Sequence, residues 1–289
     1  MEKRISGRTG LLGLIGSPVG HSGSPAMYNY SFEKLGLDYA YLAFDIKVEE
    51  VAKAVEAVKT FHMRGCNVTM PCKSEALKYM DELSPAARII GAVNTIVNED
   101  GRLTGHNTDG QGFLDNLRDH GVETEGKKIT VCGGGGAATA IQVQCALEGA
   151  REISIFNIKD AFFERTLETA EKIRQEKPGC TVNVYDIADH EKMGEEIASS
   201  HIFANATIVG MKPMEDESVV KDISMFRPGL VVVDAVYDPE ETKLLKEARE
   251  AGCVCIGGQG MLVWQGVAAF RLYTGQEMPV EEVKELLFH

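Results

Sequence analysis

Residues 129–138 read ITVCGGGGAA, an apolar segment that runs directly into four consecutive glycines. Gly133, Gly135 and Ala138 match the G-x-G-x-x-[GA] spacing of a dinucleotide-binding turn. In such a turn one glycine allows a tight bend, another lets backbone N–H groups approach a pyrophosphate, and the next helix presents the positive end of its dipole. A tight turn without a ligand is the alternative. A predicted strand before the glycines and a predicted helix after them favour the nucleotide.

The same order of strand and helix extends along the whole chain. The sequence predicts strands at 11–16, 39–46, 65–70, 94–98, 102–106, 127–132, 152–157, 181–187, 201–206, 230–237 and 254–256. It predicts helices at 24–37, 48–61, 86–90, 110–118, 137–150, 161–176, 261–274 and 280–287. Ser24 is the expected N-cap of the first helix. Alternation of this kind is typical of α/β proteins in which helices cover parallel sheets.

Two successive series of strands and helices predict two domains, with a boundary within 107–115. We expect an N-terminal open α/β substrate-binding and catalytic domain, 1–110, onto which the C-terminal helices, 261–289, pack back. A C-terminal Rossmann-type NAD(P)-binding domain would span 111–260. Because the glycine run assigns a hydride carrier to the second domain, the first is expected to hold the substrate, and clefts form at such domain junctions.

Composition and charge narrow the class of protein. Of 289 residues, 44% are hydrophobic and 25% charged, which is ordinary for a globular protein. The net charge of −13 argues against a nucleic-acid partner and leaves a small-molecule substrate as the expectation. Seven irregularly spaced cysteines predict reduced, mostly buried thiols, and no metal-binding motif stands out.

Targeting signals are also missing from the sequence pattern. We find no charged-then-apolar leader and no apolar run long enough to cross a bilayer. The sequence therefore predicts a soluble, cytoplasmic protein with no membrane partner. It does not distinguish a monomer from a homodimer.

The choice of dinucleotide depends on the residues that follow the strand at 152–157. An acid at this place binds the ribose hydroxyls of NAD, whereas an arginine binds the 2′-phosphate of NADP. Asp160 is the acid near this strand end, and the nearby cation is Lys159 rather than an arginine. The sequence therefore favours NAD as the preferred cofactor, with NADP possible. Alternatively, Asp160 only caps the next helix.

A second stretch, residues 67–73, reads NVTMPCK and belongs to the predicted substrate domain. Pro71 prevents the strand from continuing, so Lys73 would project from a stiff base into the crevice of the sheet. Further along, glycines flank Asp109 at the predicted domain junction. Lys73 and Asp109 would form a proton-handling pair at an alcohol. Alternatively, Lys73 is a solvated surface lysine and Asp109 caps the helix at 110–118.

Six separated motifs make the chain resemble the shikimate dehydrogenase family, and in particular its quinate/shikimate dehydrogenase branch. In order they are HSGSPAMYN, NVTMPCK, GAVNTIVN, GHNTDG, VCGGGGAATA and GGQGMLVWQG. The resemblance implies reversible oxidation of the ring C3 hydroxyl of shikimate or quinate, with hydride transfer to NAD(P). The products would be 3-dehydroshikimate or 3-dehydroquinate, within aromatic amino acid biosynthesis or quinate use.

The resemblance also implies roles for substrate-domain residues. Lys73 and Asp109 match the family's catalytic pair. The resemblance implies that the substrate carboxylate and ring hydroxyls are bound by Ser22, Ser24, Thr69, Asn94, Tyr237 and Gln265. Among these, the two serines are similar to the hydroxyls that bind the carboxylate, and Tyr237 to a further substrate contact.

On the nucleotide side, Asp160 is similar to the acid that the quinate/shikimate branch presents to the adenosine ribose. The cofactor-binding positions implied are Gly133, Gly135, Gly136, Ala137, Asn157, Asp160 and Gly258.

Four positions depart from the family pattern. Gly23 stands where leucine is usual and Cys72 where asparagine is usual, and both changes are expected to loosen the substrate pocket. Ile158 stands where arginine is common, which weakens the case for strong NADP binding. Gly134 stands where alanine is common.

Two other functions remain open on the sequence. An aminoshikimate-type or methylenetetrahydrofolate-type dehydrogenase would keep the fold and change the ring, although the serine pair and Asp109 favour a hydroxy acid over a folate. A sensor would bind nucleotide and a quinate-like ligand without turnover. Intact Lys73 and Asp109 argue against a sensor.

Overall fold

The structure, a computed structural model, describes residues 5–288. Its strands are β1 (Gly10–Gly16), β2 (Tyr39–Asp45), β3 (Gly65–Val68), β4 (Glu82–Leu83), β5 (Thr95–Glu99), β6 (Arg102–His106), β7 (Lys128–Cys132), β8 (Glu152–Asn157), β9 (Thr181–Asp186), β10 (Ile202–Asn205), β11 (Val231–Asp234) and β12 (Val254–Ile256). Its helices are α1 (Ser24–Leu35), α2 (Val51–Thr60), α3 (Lys73–Ala76), α4 (Pro85–Ile90), α5 (Asp109–Asp119), α6 (Gly136–Leu147), α7 (Ala161–Glu176), α8 (His190–Ser199), α9 (Lys243–Glu250), α10 (Gly258–Thr274) and α11 (Val280–Phe288). The predicted α/β class is confirmed.

The chain divides into two compact units. One contains the chain up to Thr108 together with the segment from Val263, and the other is Asp109–Leu262. Helix α10 therefore begins in the second unit and continues in the first. In the part of the chain that the structure describes, no helix is both long and apolar enough to cross a membrane.

The first unit contains a six-stranded mixed sheet in the order β2-β1-β3-β5-β6-β4. Strand β1 runs parallel to β2 and β3, whereas β5 is antiparallel to β3 and to β6. The expectation of a parallel sheet is therefore wrong for this unit. The turn at Asp100 and Gly101, both with positive φ, reverses the chain between β5 and β6 and so makes these two strands antiparallel.

Aromatic side chains fill one side of the first unit's sheet. The rings of Tyr28 on α1 and Tyr41 on β2 stack at 4.4 Å and are fully buried. The Tyr28 hydroxyl donates a hydrogen bond to the carbonyl of Gly266 on α10, at 3.0 Å. Phe32 and Phe270 stack beside them. The segment of α10 after Leu262 is thus part of this core.

The second unit contains a six-stranded sheet in the order β12-β11-β10-β7-β8-β9, parallel throughout. This is the doubly wound arrangement of a Rossmann-type domain. The observed bounds of β8, α7 and β12 match the predicted ones residue for residue. Two helices, α8 and α9, were not predicted.

A buried ionic cluster lies in the second unit. The ammonium of Lys128 is 2.6 Å from a carboxylate oxygen of Glu196 and 3.0 Å from one of Glu152. Ser154 donates to Glu196 at 2.6 Å, and Lys192 reaches its other oxygen at 2.9 Å. Burial alone would raise the pKa of Glu196, but hydrogen bonds from Lys128, Ser154 and Lys192 more than offset it and lower that pKa to about 2.

We expect Glu196→Gln to lower the free energy of unfolding by about 3 kcal/mol near neutral pH, because it leaves the buried Lys128 ammonium undercompensated. The folded-state pKa of Glu196 lies below its unfolded value of about 4.3, so the carboxylate stabilises the fold above that pH. This stabilisation is lost as the pH falls towards 2. Urea unfolding at several pH values measures it.

The difference between wild type and Glu196→Gln should therefore shrink as the pH falls below about 4. Glu195→Gln is the matched control, because Glu195 pairs with the same Lys192 but is mostly exposed. We expect that control to change the free energy of unfolding by less than about 0.5 kcal/mol. Equal stability of wild type and Glu196→Gln at every pH would contradict the assignment.

Candidate active site

The glycine turn lies between β7 and α6, where the sequence places it. Gly133 has a φ of +122°, and a Cβ there would be 2.7 Å from the carbonyl oxygen of Ala206. Gly135 and Gly136 face open space. No side chain caps the N-terminus of α6. Open backbone at the positive end of a helix fits the pyrophosphate of a dinucleotide.

Gly134 makes room for a polar contact behind the turn. A Cβ at this position would collide with the side chains of Asn157 and Thr166. The Asn157 amide donates to the Thr166 hydroxyl at 3.2 Å. Asn157, predicted to bind cofactor, is buried and supports the turn from behind. This contact explains why glycine replaces the family's alanine.

A pocket of about 330 Å³ opens beside the glycine turn. Gly135, Gly136 and Ala137 line one side, the loop after β10 a second, and the loop after β11 a third. Tyr237, predicted to contact substrate, is on this third loop and is half-exposed. The pocket therefore adjoins the open backbone of the glycine turn.

Asp234 anchors the loop that carries Tyr237, and sequence reasoning missed it. Its buried carboxylate accepts hydrogen bonds from the Thr242 hydroxyl at 2.7 Å and from the Asn205 amide at 2.9 Å. The backbone N–H of Val236 donates to it at 3.0 Å. Burial raises the pKa of Asp234, and these hydrogen bonds oppose that rise. The position of Asp234 at the end of the apolar strand VVVD could have identified it from the sequence.

Gly258 is the first residue of α10 and lies against the same loop. A Cβ there would be 2.6 Å from the carbonyl oxygen of Ala235. Glycine is therefore required at position 258, because helix α10 approaches the loop after β11 closely there.

The serine motif lies at the start of α1 in the first unit. The N-cap residue is Gly23, and the Ser22 hydroxyl accepts a hydrogen bond from the N–H of Ser24 at 3.2 Å. The prediction that Ser24 caps this helix is therefore wrong. Burial raises the pKa of the Tyr41 phenol, and a hydrogen bond with the Ser24 side chain opposes that rise.

The NVTMPCK motif turns sharply after β3. The N–H of Thr69 donates to the carbonyl of Ile15 at 2.9 Å, and the carbonyl of Lys73 accepts from Val93 at 3.0 Å. Lys73 is half-buried at the first position of α3. Both ends of the turn are thus held by backbone hydrogen bonds, which gives Lys73 the stiff base that the sequence predicts.

Asn94 belongs to a buried polar network that includes residues missed by sequence reasoning. Its amide donates to the Thr108 hydroxyl at 3.0 Å and accepts from the Thr108 N–H at 2.9 Å. Asn67 donates to the Asn94 carbonyl at 3.3 Å and to the Thr95 hydroxyl at 3.1 Å. The Tyr41 hydroxyl donates to Asn67 at 2.8 Å. This network fixes the residue that precedes Asp109.

The remaining candidates lie on two helices. Asp109 is the first residue of α5, so that helix begins one residue earlier than predicted. Gln265 is half-buried on α10, within the first unit. Lys73 belongs to the first unit and Asp109 to the second, and their catalytic pairing stays a prediction. Within residues 5–288 no cluster of histidine, cysteine and acidic side chains could hold a metal ion.

Comparison with known proteins assigns the family. Residues 14–96 match the model of the shikimate dehydrogenase substrate binding domain, and residues 258–288 match that of the shikimate 5'-dehydrogenase C-terminal domain. The chain is 52% identical over 288 residues to a shikimate dehydrogenase (NADP(+)) from Listeria monocytogenes serotype 4b, covering 100% of this chain and 99% of the relative. The chain belongs to the shikimate dehydrogenase family.

Two further proteins are similar to this member of the shikimate dehydrogenase family along almost its whole length. A quinate/shikimate dehydrogenase from Escherichia coli is 46% identical, with 98% of each chain covered. The crystal structure of shikimate 5-dehydrogenase from Listeria monocytogenes in complex with shikimate and NAD has a TM-score of 0.97 and 51% identity, covering 100% of this chain and 99% of the other. The predicted pair of substrate-binding and Rossmann-type domains is therefore confirmed as the fold.

The predicted preference for NAD is wrong. Relatives that are 50–52% identical carry the designation NADP(+). The prediction depended on Asp160, but the carboxylate of Asp160 accepts the N–H of Phe162 at 2.8 Å and caps α7. The cation at this strand end is Lys159, whose ammonium is 3.5 Å from Asp186.

Two departures from the family pattern have structural explanations. A Cβ at Gly23 would be 3.0 Å from Cδ2 of Leu287, so a leucine of α11 occupies the space near the missing side chain. Cys72 is fully buried in the core, and burial raises the pKa of its thiol. The expectation that these two changes loosen the pocket stays untested, but Cys72 itself is a core residue.

The glycine turn yields a test of packing. We expect Gly133→Ala to lower the free energy of unfolding by about 2 kcal/mol, because of its positive φ and the contact with Ala206. Gly135→Ala is the matched control, since Gly135 has an extended conformation and open surroundings. That control should stay within about 0.5 kcal/mol of wild type in urea unfolding. Equal effects of the two substitutions would refute the steric account.

Proposed function

We propose that this protein is a shikimate dehydrogenase that oxidises the ring C3 hydroxyl of shikimate reversibly with NADP. The observation that carries the proposal is the 52% identity over 288 residues with a shikimate dehydrogenase (NADP(+)). The glycine turn, its pocket and the two sequence motifs of the first unit supply the groups that such a reaction needs.

Uncharged hydrogen-bond donors are proposed to bind the substrate. Ser22 and Ser24 are proposed to hold the carboxylate of shikimate, with Tyr237 as a further contact. Hydroxyls bind a carboxylate without the desolvation cost of burying a cation. Thr69, Asn94 and Gln265 are proposed to hold the ring hydroxyls.

The glycine turn between β7 and α6 is proposed to bind the cofactor. The N-terminus of α6 and the backbone of Gly135 and Gly136 would hold the pyrophosphate. When bound, the nicotinamide accepts the hydride from the ring carbon. The adenosine end would lie at the carboxyl ends of β8 and β9, in keeping with the binding rule for open parallel sheets.

Lys73 and Asp109 are proposed to handle the proton of the reacting hydroxyl. We propose that Lys73 acts mostly as an ammonium that stabilises the developing alkoxide, and as the acid when the ketone is reduced. Asp109, at the N-terminus of α5, would orient the same hydroxyl. Lysine acting as a plain base is the second possibility. In either case the backbone hydrogen bonds around Lys73 hold its base in place before substrate arrives.

We expect Lys73→Ala and Asp109→Asn each to lower kcat by about 10²–10⁴-fold with the fold intact, because each removes a group that acts on the reacting hydroxyl. Steady-state rates of shikimate oxidation measure this effect, and calorimetric NADP binding checks that the cofactor site survives. Near-normal rates in both variants would end the scheme.

The experiment that tests the function itself crosses two substrates with two cofactors. Shikimate and quinate are each assayed with NADP and with NAD by absorbance of the reduced nicotinamide. We expect the highest kcat/KM with shikimate and NADP. Absence of turnover with shikimate and either cofactor, while both cofactors bind, would instead support the sensor.

Activity on quinate is the second candidate, favoured by the 46% identity with a quinate/shikimate dehydrogenase. The two substrates differ at one ring carbon, and a single pocket contact can decide between them. The pathway assignment, a cytoplasmic location and the choice between monomer and homodimer stay predictions from the sequence.

A further inference from the structure

Two charged residues meet at the carboxyl ends of neighbouring strands in the second unit. Strands β8 and β9 are parallel, and their last residues, Asn157 and Asp186, are paired in register. The loop after Asn157 carries Lys159. Both charges therefore lie at the sheet edge where an open parallel sheet binds the ribose of a dinucleotide.

The two residues differ in how firmly they are held. The ammonium of Lys159 is 3.5 Å from Asp186, and its side chain is 65% exposed. Asp186 is less exposed, at 29%, and its other oxygen accepts the N–H of Ala188 at 3.0 Å. The carboxylate is thus fixed by the backbone, whereas the lysine is free to turn. An ion pair this exposed is weak, so a phosphate can compete for the ammonium.

The other residues of this loop are less suited to select a phosphate. Ile158 is exposed but uncharged. The carboxylate of Asp160 is occupied by the N–H of Phe162, as the cap of α7. Lys159 therefore supplies the positive charge of the loop, and its ammonium lies next to the Asp186 carboxylate.

We propose that Asp186 determines how tightly this protein binds the 2′-phosphate of NADP: Lys159 is the cation for that phosphate, and Asp186 competes with the phosphate for it. The carboxylate weakens phosphate binding in two ways, by holding the ammonium and by repelling the phosphate dianion. NAD carries no phosphate at this position, so neither the competition for Lys159 nor the repulsion by Asp186 acts on NAD. The inference rests on the proposed function, because it requires a dinucleotide at this edge.

Three variants test the proposal by calorimetric titration with NADP and with NAD, which differ by this one phosphate. Lys159→Gln should weaken NADP binding at least about tenfold and leave NAD within about twofold. Asp186→Asn should strengthen NADP binding about three- to tenfold at low salt, and leave NAD unchanged. Asparagine keeps the oxygen that accepts from Ala188, so the loop should stay folded.

Asp189→Asn is the matched control. It changes the net charge by the same amount on the same loop, but Asp189 caps α8 through the N–H of Lys192, a role that asparagine fills equally well. We expect no change in either affinity. The gain in Asp186→Asn should also shrink near 1 M salt, where the screening length is about 3 Å.

Unchanged or weaker NADP binding in Asp186→Asn would overturn the inference, as would an equal gain for NAD. An NADP affinity that is unchanged in Lys159→Gln would also overturn the inference. These failures are distinct from failure of the proposed function: a wild-type protein that oxidises shikimate with NADP while Asp186→Asn has no effect loses only this inference. A wild-type protein that binds neither dinucleotide loses both.

Discussion

Exclusion of a side chain at a few glycines is the constraint on which the second unit depends. At Gly133, directly after β7, the backbone passes the carbonyl of Ala206 too closely for a Cβ, and at Gly110 helix α5 meets the carbonyl of Ala140 on α6 in the same way. Gly258 repeats the arrangement where α10 begins. Because these contacts involve backbone atoms, neighbouring side chains cannot move to relieve a substitution.

Gly135 and Gly136 of the same turn, in contrast, have space around them. A Cβ at Gly135 or Gly136 would meet no atom within 4 Å, and both residues stand at the start of α6. A single run of four glycines therefore serves two purposes: the first two set the packing, and the last two leave the backbone accessible to a phosphate. The sheet supplies rigidity, and the turn supplies the binding surface.

Much of the fold follows from local sequence signals, whereas the exceptions depend on long-range contacts. The bounds of β8 and α7 were predictable because a dense apolar run and a cap residue mark them. Helix α8 was missed because its sequence, HEKMGEEIAS, is mostly polar and its buried Glu196 is paired with Lys128 of a distant strand. The antiparallel pairing of β3 with β5 was missed because register between separated strands has no local signature.

The candidate site shows the same division. Its glycines, serines and Lys73 could be found from motifs, because spacing carries the information. The Asp160 cap and the proposed ribose contact use the same residue type at the same strand end, so the sequence alone could not separate them. The network of Tyr41, Asn67 and Thr108 joins segments far apart in the chain, and no single motif reveals it.

The position of Leu287 beside Gly23 brings the C-terminal helix next to the serine motif. Leu287 comes within 3.0 Å of where a Cβ of Gly23 would be, and Gly23 separates the two serines. Helix α11 is further tied to α1 by the ion pair between Lys34 and Glu282. Shortening or tagging this end of the polypeptide would therefore disturb the loop that carries the two serines, although more than 260 positions separate Gly23 from Leu287 in the sequence.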